Sequence, residues 1–284
     1  MDVSVLIPAY NEEQAILQTL KQLNEVLKRT PLSYEIIVID DGSTDQTKEV
    51  LQKRTKGIRV IRNPYNLGYG ASLKRGLEIA KGEYVLITDA DGTYPIKEIP
   101  ALIAYMYDYD MVVGARVKNP HIPLLRRPAK WILTSLASIL AGRPIPDINS
   151  GLRIFKRDLA LRFMHLYPNG FSFTTTITLS FFTHGFTVKY VPVHYLKRKG
   201  SSSIRPIRDF IGFTTLIVRI MTYFEPLKFF LFPGLLLMLA GFLYGFYQFI
   251  VIDNLADLAV TLFLTGLQIC FLGLVADLIV KRRG

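Results

Sequence analysis

Residues 84–95 read Tyr-Val-Leu-Ile-Thr-Asp-Ala-Asp-Gly-Thr-Tyr-Pro. The stretch 84–90 (YVLITDA) reads as a strand, and its consecutive apolar residues suit cover on both faces. The run then breaks at Asp89-Ala90-Asp91 into a turn containing Gly92 and Pro95. Similar strand-like runs occur at 3–9 (VSVLIPA), 34–40 (YEIIVID), 58–61 (IRVI) and 110–115 (DMVVGA). Between them lie helical patterns, such as Ile16-Leu17-Leu20-Leu23-Val26-Leu27 and Ala71-Leu73-Leu77-Ala80. Strands alternating with helices predict an α/β fold, a mostly parallel sheet with helices on both faces. Ligands of such sheets bind at the carboxyl ends of strands. Polar clusters sit at those ends: Tyr10-Asn11-Glu12, Asp40-Asp41-Gly42-Ser43 and Asp89-Ala90-Asp91.

The 284 residues are 50% hydrophobic and 20% charged, too apolar for a disordered chain. A single cysteine, Cys270, excludes an intramolecular disulfide framework and a cysteine-based zinc site. The net charge is +11, and its distribution is uneven. Residues 1–110 carry 13 basic and 16 acidic side chains, residues 111–228 carry 18 and 4, and residues 229–284 carry three of each. The basic excess therefore belongs to the middle of the chain and calls for an anionic partner. No nucleic-acid recognition module accompanies it, so no nucleic-acid partner is expected.

Residues 229–250 contain no charge, and residues 258–280 contain only Asp277, near their end. Each stretch is long enough to cross a hydrocarbon core of roughly 30 Å as a helix. The linker VIDNLAD is acidic, whereas Lys228 and Lys281-Arg282-Arg283 flank the pair. The positive-inside tendency then places both termini on the cytoplasmic side. Met1-Asp2-Val3-Ser4 lacks the basic start of a secretory signal. The expected organisation is a cytoplasmic domain over residues 1–228 and a two-helix anchor over 229–284, in a multi-pass protein of the cell membrane. Two basic amphipathic stretches, about 122–140 and 206–227, are expected to lie in the membrane interface.

Asp89 and Asp91, one residue apart where a strand breaks, can hold one hard divalent cation and leave positions for phosphate oxygens. A cation there would offset charge on a phosphate leaving group. Asp40 closes an apolar strand and is placed to accept hydrogen bonds from a nucleobase or ribose. Ser43 suits a helix N-cap. Asn66-Leu67-Gly68-Tyr69-Gly70-Ala71 is a glycine-containing turn into a helix, expected to back the nucleotide. It is a poor dinucleotide fingerprint, lacking the third glycine.

Six motifs occur in order: PAYNE (8–12), DDGSTD (40–45), NLGYGAS (66–72), DADGTYP (89–95), GAR (114–116) and DINSGLRIF (147–155). The set resembles the inverting family 2 glycosyltransferases, and within them the branch that uses polyprenyl phosphates. The likeness covers about residues 2–224, and the two-helix end is similar to that of bacterial members. It implies a GT-A (Rossmann-like) fold, a nucleotide-sugar donor, Mg2+ or Mn2+, and a lipid-phosphate acceptor such as undecaprenyl or dolichyl phosphate. Carried over by position, Pro8, Tyr10, Glu12, Val38 and Asp40 form the nucleoside pocket. Asp89 and Asp91 form the diphosphate–metal group, with Ala90 beside them. Arg116 approaches the phosphates and the acceptor, and Asp147 is the acceptor-side carboxylate. Asp147, Asp91 and Arg116 are thus the expected catalytic residues. Arg126, Arg127, Lys130 and Ser135 join Arg116 around the lipid phosphate.

Two positions depart from the family pattern. Thr93 stands where mannose-transferring members carry Gln, so it could join the metal only through its hydroxyl. Ser203 stands where many relatives carry Lys, so Lys197, Arg198, Lys199 or Arg205 must supply charge to the donor phosphates. DADGTYP is closer to users of UDP-sugars, which favours UDP-glucose over GDP-mannose. The expected activity is transfer of one sugar, with inversion, to a polyprenyl phosphate. A processive polysaccharide synthase would carry a Gln-X-X-Arg-Trp motif, yet the only tryptophan, Trp131, follows Ala129-Lys130. A non-catalytic membrane scaffold would not need Asp89, Asp91 and Asp147 together. Homo-oligomerisation is left open by the sequence.

Overall fold

A computed structural model describes residues 1–54, 57–118, 134–135, 137–139, 141–170, 172–196, 215, 218–219, 221–252 and 257–283. They divide into two compact units, Met1–Ile204 and Arg205–Gly284. The cut falls ahead of the 228/229 boundary expected from composition.

The first unit runs β1 (Val3–Ala9), α1 (Ile16–Leu27), β2 (Tyr34–Asp40), α2 (Thr47–Arg54), β3 (Arg59–Arg62), α3 (Tyr69–Ile79) and β4 (Tyr84–Ile87). A 3-10 turn at Ile96–Glu98 leads into α4 (Ile99–Ile103) and β5 (Met111–Lys118). The unit continues with β6 (Arg153–Lys156), α5 (Arg157–Arg162), α6 (Phe173–Thr183) and β7 (Val188–His194). The strands form one seven-stranded sheet in the order β3-β2-β1-β4-β6-β5-β7. All neighbours are parallel except the two pairs made by β6. The five strands read from sequence are present, β4 ending at Ile87 rather than residue 90. β6 and β7 carry little signal in the sequence: Arg153-Ile-Phe-Lys is four residues long, and β7 contains Pro192.

β1 is buried along its whole length because it is central and covered on both faces. One face takes α1, whose Ile16, Leu20, Leu23 and Leu27 recur at helical spacing and bury against Val3, Val5, Ile7 and Val38. On the opposite face α3 approaches closely at Gly76, where a Cβ would stand 3.0–3.1 Å from Leu6 and Ile39. Farther along that face Phe155 of β6 meets Phe181 of α6 edge-on, ring centres 6.3 Å apart. β3, at the sheet edge, carries exposed Arg59 and Arg62, charges that discourage strand pairing with another molecule.

The second unit is dominated by α7 (Pro226–Ile252) and α8 (Asp257–Arg283), packed against each other. Each has 27 residues, so each is about 40 Å long. Both are long and apolar enough to cross a membrane, over Pro226–Val251 and Asp257–Lys281. Small residues repeat every seven positions along the seam, Gly234 and Gly241 on α7 and Ala259, Gly266 and Gly273 on α8. A Cβ at Gly266 would stand 2.5 Å from the Gly234 carbonyl, and one at Gly241 2.7 Å from the Phe263 nitrogen. Close backbone approach through small residues is how apolar helices associate in lipid.

Candidate active site

The carboxyl ends of β1, β2 and β4 place the polar clusters on one edge, held by a web of side chain-to-backbone bonds. After β1 the chain turns at Asn11, whose φ of 56° is tolerated better by Asn than by most residues. Asn11 Oδ1 accepts from the Thr44 N–H at 2.8 Å, tying the β1 loop to the β2 loop. Gly42 has φ +70°, and a Cβ there would lie 2.5 Å from the Tyr65 backbone. Only glycine fits that turn. Asp40 is 1% exposed, accepts from the Ser43 N–H at 2.9 Å and lies 3.5 Å from Arg62 Nε. Together with Leu51 and Val60, Asp40 and Arg62 line a small cavity.

Asp41 has a different task. Its Oδ1 accepts from Asn63 Nδ2 at 2.6 Å and Leu67 N–H at 3.1 Å, and its Oδ2 accepts from Gly68 N–H at 2.9 Å. The second aspartate of the DDGSTD motif therefore shapes the 66–72 loop. That loop delivers Tyr69, whose hydroxyl donates to Asp89 Oδ1 at 3.2 Å. Burial, reinforced by Asp89, pushes the Tyr69 hydroxyl well above its usual range, so it remains a proton donor.

Beyond β4, Asp91 Oδ1 accepts from both the N–H and the hydroxyl of Thr93, at 3.0 and 2.6 Å. Thr93 is fully buried and orients Asp91. Ala90 is buried too, its carbonyl accepting from the Thr19 hydroxyl at 3.1 Å. Gly151 packs directly on the other carboxylate, where a Cβ would stand 2.7 Å from both oxygens of Asp89. Tyr94 fixes that glycine, accepting the Gly151 N–H at 2.8 Å.

Asp147 and Arg116 are paired. Arg116 Nε donates to Asp147 Oδ2 at 2.6 Å and Nη2 donates to Oδ1 at 2.8 Å, a bidentate geometry. The Arg116 backbone N–H adds a third bond at 3.2 Å. The Asn149 N–H also donates to Asp147, so this carboxylate shapes its turn as well. The guanidinium carbon stands 5.2 Å from the centre of the Tyr195 ring. Burial works to lower the Arg116 pKa, but the Asp147 hydrogen bonds and charge raise it, so the cation is permanent. Tyr94 feels both Asp89 and Arg116, and burial pushes its hydroxyl far above the usual range. Tyr94 and the 147–151 turn thus link Asp89 to the Arg116–Asp147 pair.

Behind them lies Arg153, fully buried and bonded to the Ser150 carbonyl, the Thr174 carbonyl and the Thr178 hydroxyl. It pins the 147–151 turn to α6. Thr175 also holds this turn through Asn149 Oδ1 at 2.7 Å.

Of the residues expected to form a nucleoside pocket, Tyr10 is exposed and Glu12 half-buried. Pro8 is buried within β1. Val38 is fully buried, its side chain enclosed in the α1-side core. Arg126, Arg127, Lys130, Lys197, Arg198, Lys199 and Arg205 lie outside the described residues, as does most of 122–140 and 206–227. Ser135 is described, half-buried in a short helical piece. Sequence reasoning assigned no role to Asp41, Tyr69, Tyr94 or Arg153, although each stands inside a quoted motif. Thr175 and Tyr195 carried no signal.

With this geometry in view, comparison with known proteins is decisive. The sequence model described as glycosyl transferase family 2 matches residues 4–163. The chain belongs to that family. It is a glycosyltransferase. A second model, described as the GtrB C-terminal hairpin, matches residues 225–281. A dolichyl-phosphate hexose transferase of Haloferax volcanii is 29% identical over 222 residues, 77% of this chain and 93% of that protein. An undecaprenyl-phosphate 4-deoxy-4-formamido-L-arabinose transferase of Edwardsiella ictaluri is 28% identical over 248 residues, 86% of this chain and 74% of its own. Among solved structures, glucosyl-3-phosphoglycerate synthase of Mycobacterium tuberculosis, in complex with Mn2+, UDP-glucose and phosphoglyceric acid, superposes with a TM-score of 0.61. That match covers 78% of this chain and 79% of the other at 18% identity, which fixes the GT-A fold.

For the family 2 glycosyltransferase, Gly151→Ala is expected to retain the fold while displacing the Asp89 carboxylate. Misplacement of a reacting group by about 1 Å costs roughly 10²-fold in rate, so turnover should fall on that scale. Wild-type turnover in a folded Gly151→Ala protein would show that Asp89 need not hold its position.

Proposed function

We propose that the protein transfers a single sugar from a nucleotide sugar to a polyprenyl phosphate, with inversion, at a membrane surface. The observation that carries this reading is the Arg116–Asp147 pair beside Asp89. Asp147 occupies two of the five guanidinium N–H groups, and no described residue uses the other three. A permanent cation with a free fork, 17% exposed, suits a phosphate arriving from solvent or lipid. The dolichyl- and undecaprenyl-phosphate relatives and the matched hairpin support a lipid phosphate as that partner. UDP-glucose is the proposed donor, and an undecaprenyl or dolichyl phosphate the acceptor. The catalytic unit and both termini are assigned to the cytoplasmic side.

The residues present fit a divalent cation. No group of three or more His, Cys, Asp or Glu able to hold a metal occurs among the described residues. Two carboxylates with the remaining positions left to phosphate oxygens is the usual pattern for Mg2+ and Mn2+. Gly151 supports this, since the space a Cβ would fill lies against both Asp89 oxygens. Asp89 and Asp91 would hold the ion, and when bound it offsets charge on the departing diphosphate. Thr93 and Tyr69 orient the two carboxylates. Tyr69→Phe is expected to weaken Mn2+ binding in the presence of UDP by roughly tenfold, the lower end for loss of a ligand's hydrogen-bond partner. Unchanged Mn2+ affinity, measured calorimetrically, would reduce Tyr69 to packing.

In the transfer step a lipid-phosphate oxygen bonds to the anomeric carbon as the bond from that carbon to the nucleoside diphosphate breaks. A phosphate monoester has a second pKa of about 6, so the attacking oxygen needs little help from a base. Asp147, held by Arg116, therefore serves to aim the guanidinium at the phosphate. The test is incubation of the purified full chain with polyprenyl phosphate, Mn2+ and a panel of nucleotide sugars. A lipid carrying one sugar is the expected product, formed fastest from UDP-glucose. Sugar transfer to water or to a growing glycan, with none to lipid, would overturn the reading.

A further inference from the structure

One polar side chain of the second unit has no use in the account above. Gln268 lies 11 residues after Asp257 and 13 before Lys281, near the middle of the apolar span. At 1.5 Å per residue it is about 16–20 Å from either end. It is exposed on α8. Counting 100° per residue from Ala259, Gln268 points about 180° away from the small-residue seam that packs on α7. Thr261, Thr265 and Leu272 share this outer face and are exposed as well.

Two other polar side chains of the hairpin are satisfied locally. Gln248 Nε2 donates to the Tyr244 hydroxyl at 2.8 Å, and the Thr261 hydroxyl donates to the Asp257 carbonyl at 2.8 Å. The Gln268 carboxamide has no hydrogen-bond partner among the described residues. In hydrocarbon an amide without a partner is costly, and polar side chains in spanning helices turn towards other helices. An amphipathic segment in the interface cannot reach mid-membrane depth. Lipid chains, including an isoprenoid acceptor, offer neither donor nor acceptor. A second copy offers both, because a carboxamide carries two donors and an acceptor and is complementary to itself.

We propose that two copies of this chain pair in the membrane through the outer face of α8, with Gln268 bonded to Gln268 across a twofold axis. The inference rests on α7 and α8 spanning a membrane.

The test uses the full-length protein in phosphatidylcholine vesicles, with pairing followed by resonance energy transfer between two labelled populations. Gln268→Leu should weaken pairing on the order of tenfold, the worth of an interhelical side-chain hydrogen bond. Gln268→Asn, which keeps the amide, should retain most of it. In a Cys270→Ser background, Leu272→Cys should cross-link copies on oxidation, and Phe232→Cys, exposed on α7, should not. Pairing unchanged in Gln268→Leu, with no cross-link through Leu272→Cys, would mean that this face meets lipid and would overturn the proposal. Alkaline carbonate separates the two levels. Wild-type protein retained in the vesicles but unpaired defeats the pairing alone, whereas release into the wash defeats the membrane-spanning reading and the pairing with it.

Discussion

Asp91→Asn should abolish most glycosyl transfer while leaving the protein folded. The amide keeps an oxygen where Asp91 Oδ1 accepts from the Thr93 N–H and hydroxyl, so the turn after β4 retains both bonds. What disappears is the negative charge, and with it one anionic ligand for the cation. Loss of a single charge contact that stabilises a transition state costs about 10²–10³-fold in kcat. We therefore expect a fall of at least about 10²-fold, an unshifted Tm, and a requirement for much more Mn2+ to recover residual turnover. Near-normal activity in Asp91→Asn, or full wild-type activity in excess EDTA, would remove the metal from the mechanism.

The second large effect concerns Asp147 and Arg116. Asp147→Asn keeps an oxygen for Nε or Nη2 but loses the charge-assisted fork, so the guanidinium is no longer fixed. Arg116→Gln removes the cation itself. Each single variant should lose on the order of 10²-fold in kcat, the scale of one preorganised charge contact. If Asp147 acts by holding Arg116, the double variant should be no slower than the slower single one, since both changes destroy one device. If Asp147 instead takes a proton independently, the two losses multiply to about 10⁴-fold. The cycle therefore separates an aiming carboxylate from a base. A purely structural Asp147, serving only the Asn149 turn, would lower Tm and leave the rate of the folded enzyme nearly intact.

The parallel half of the sheet was legible because its strands are long, doubly buried and followed by recognisable helices; β1 and α1 match their sequence patterns residue for residue. β6 was not, because four residues including a buried arginine do not look like a strand. Arg153 faces α6, and its burial makes sense only once Thr174, Thr178 and Ser150 are seen around it. The same limit applies within the site. The spacing drew attention to Asp89 and Asp91, and the family resemblance added Arg116 and Asp147. Neither revealed that Asp147 and Arg116 hold each other, that Gly151 makes room for Asp89, or that Asp41 builds the loop carrying Tyr69. Those relations join segments 26 to 62 residues apart, and a linear reading has no distance in it. Val38, carried over from the family pattern, has its side chain in the core on the α1 side, because alternate residues of a central strand face opposite sides of the sheet.

The account stands on a lipid phosphate attacking the anomeric carbon once, beside Arg116. The most direct check is the phosphorus and proton NMR of the lipid product made from an α-linked nucleotide sugar. A single phosphodiester phosphorus coupled to the anomeric proton of one β-linked sugar is the predicted result. An α-linked sugar, or a diphosphate bridge between lipid and sugar, would contradict it.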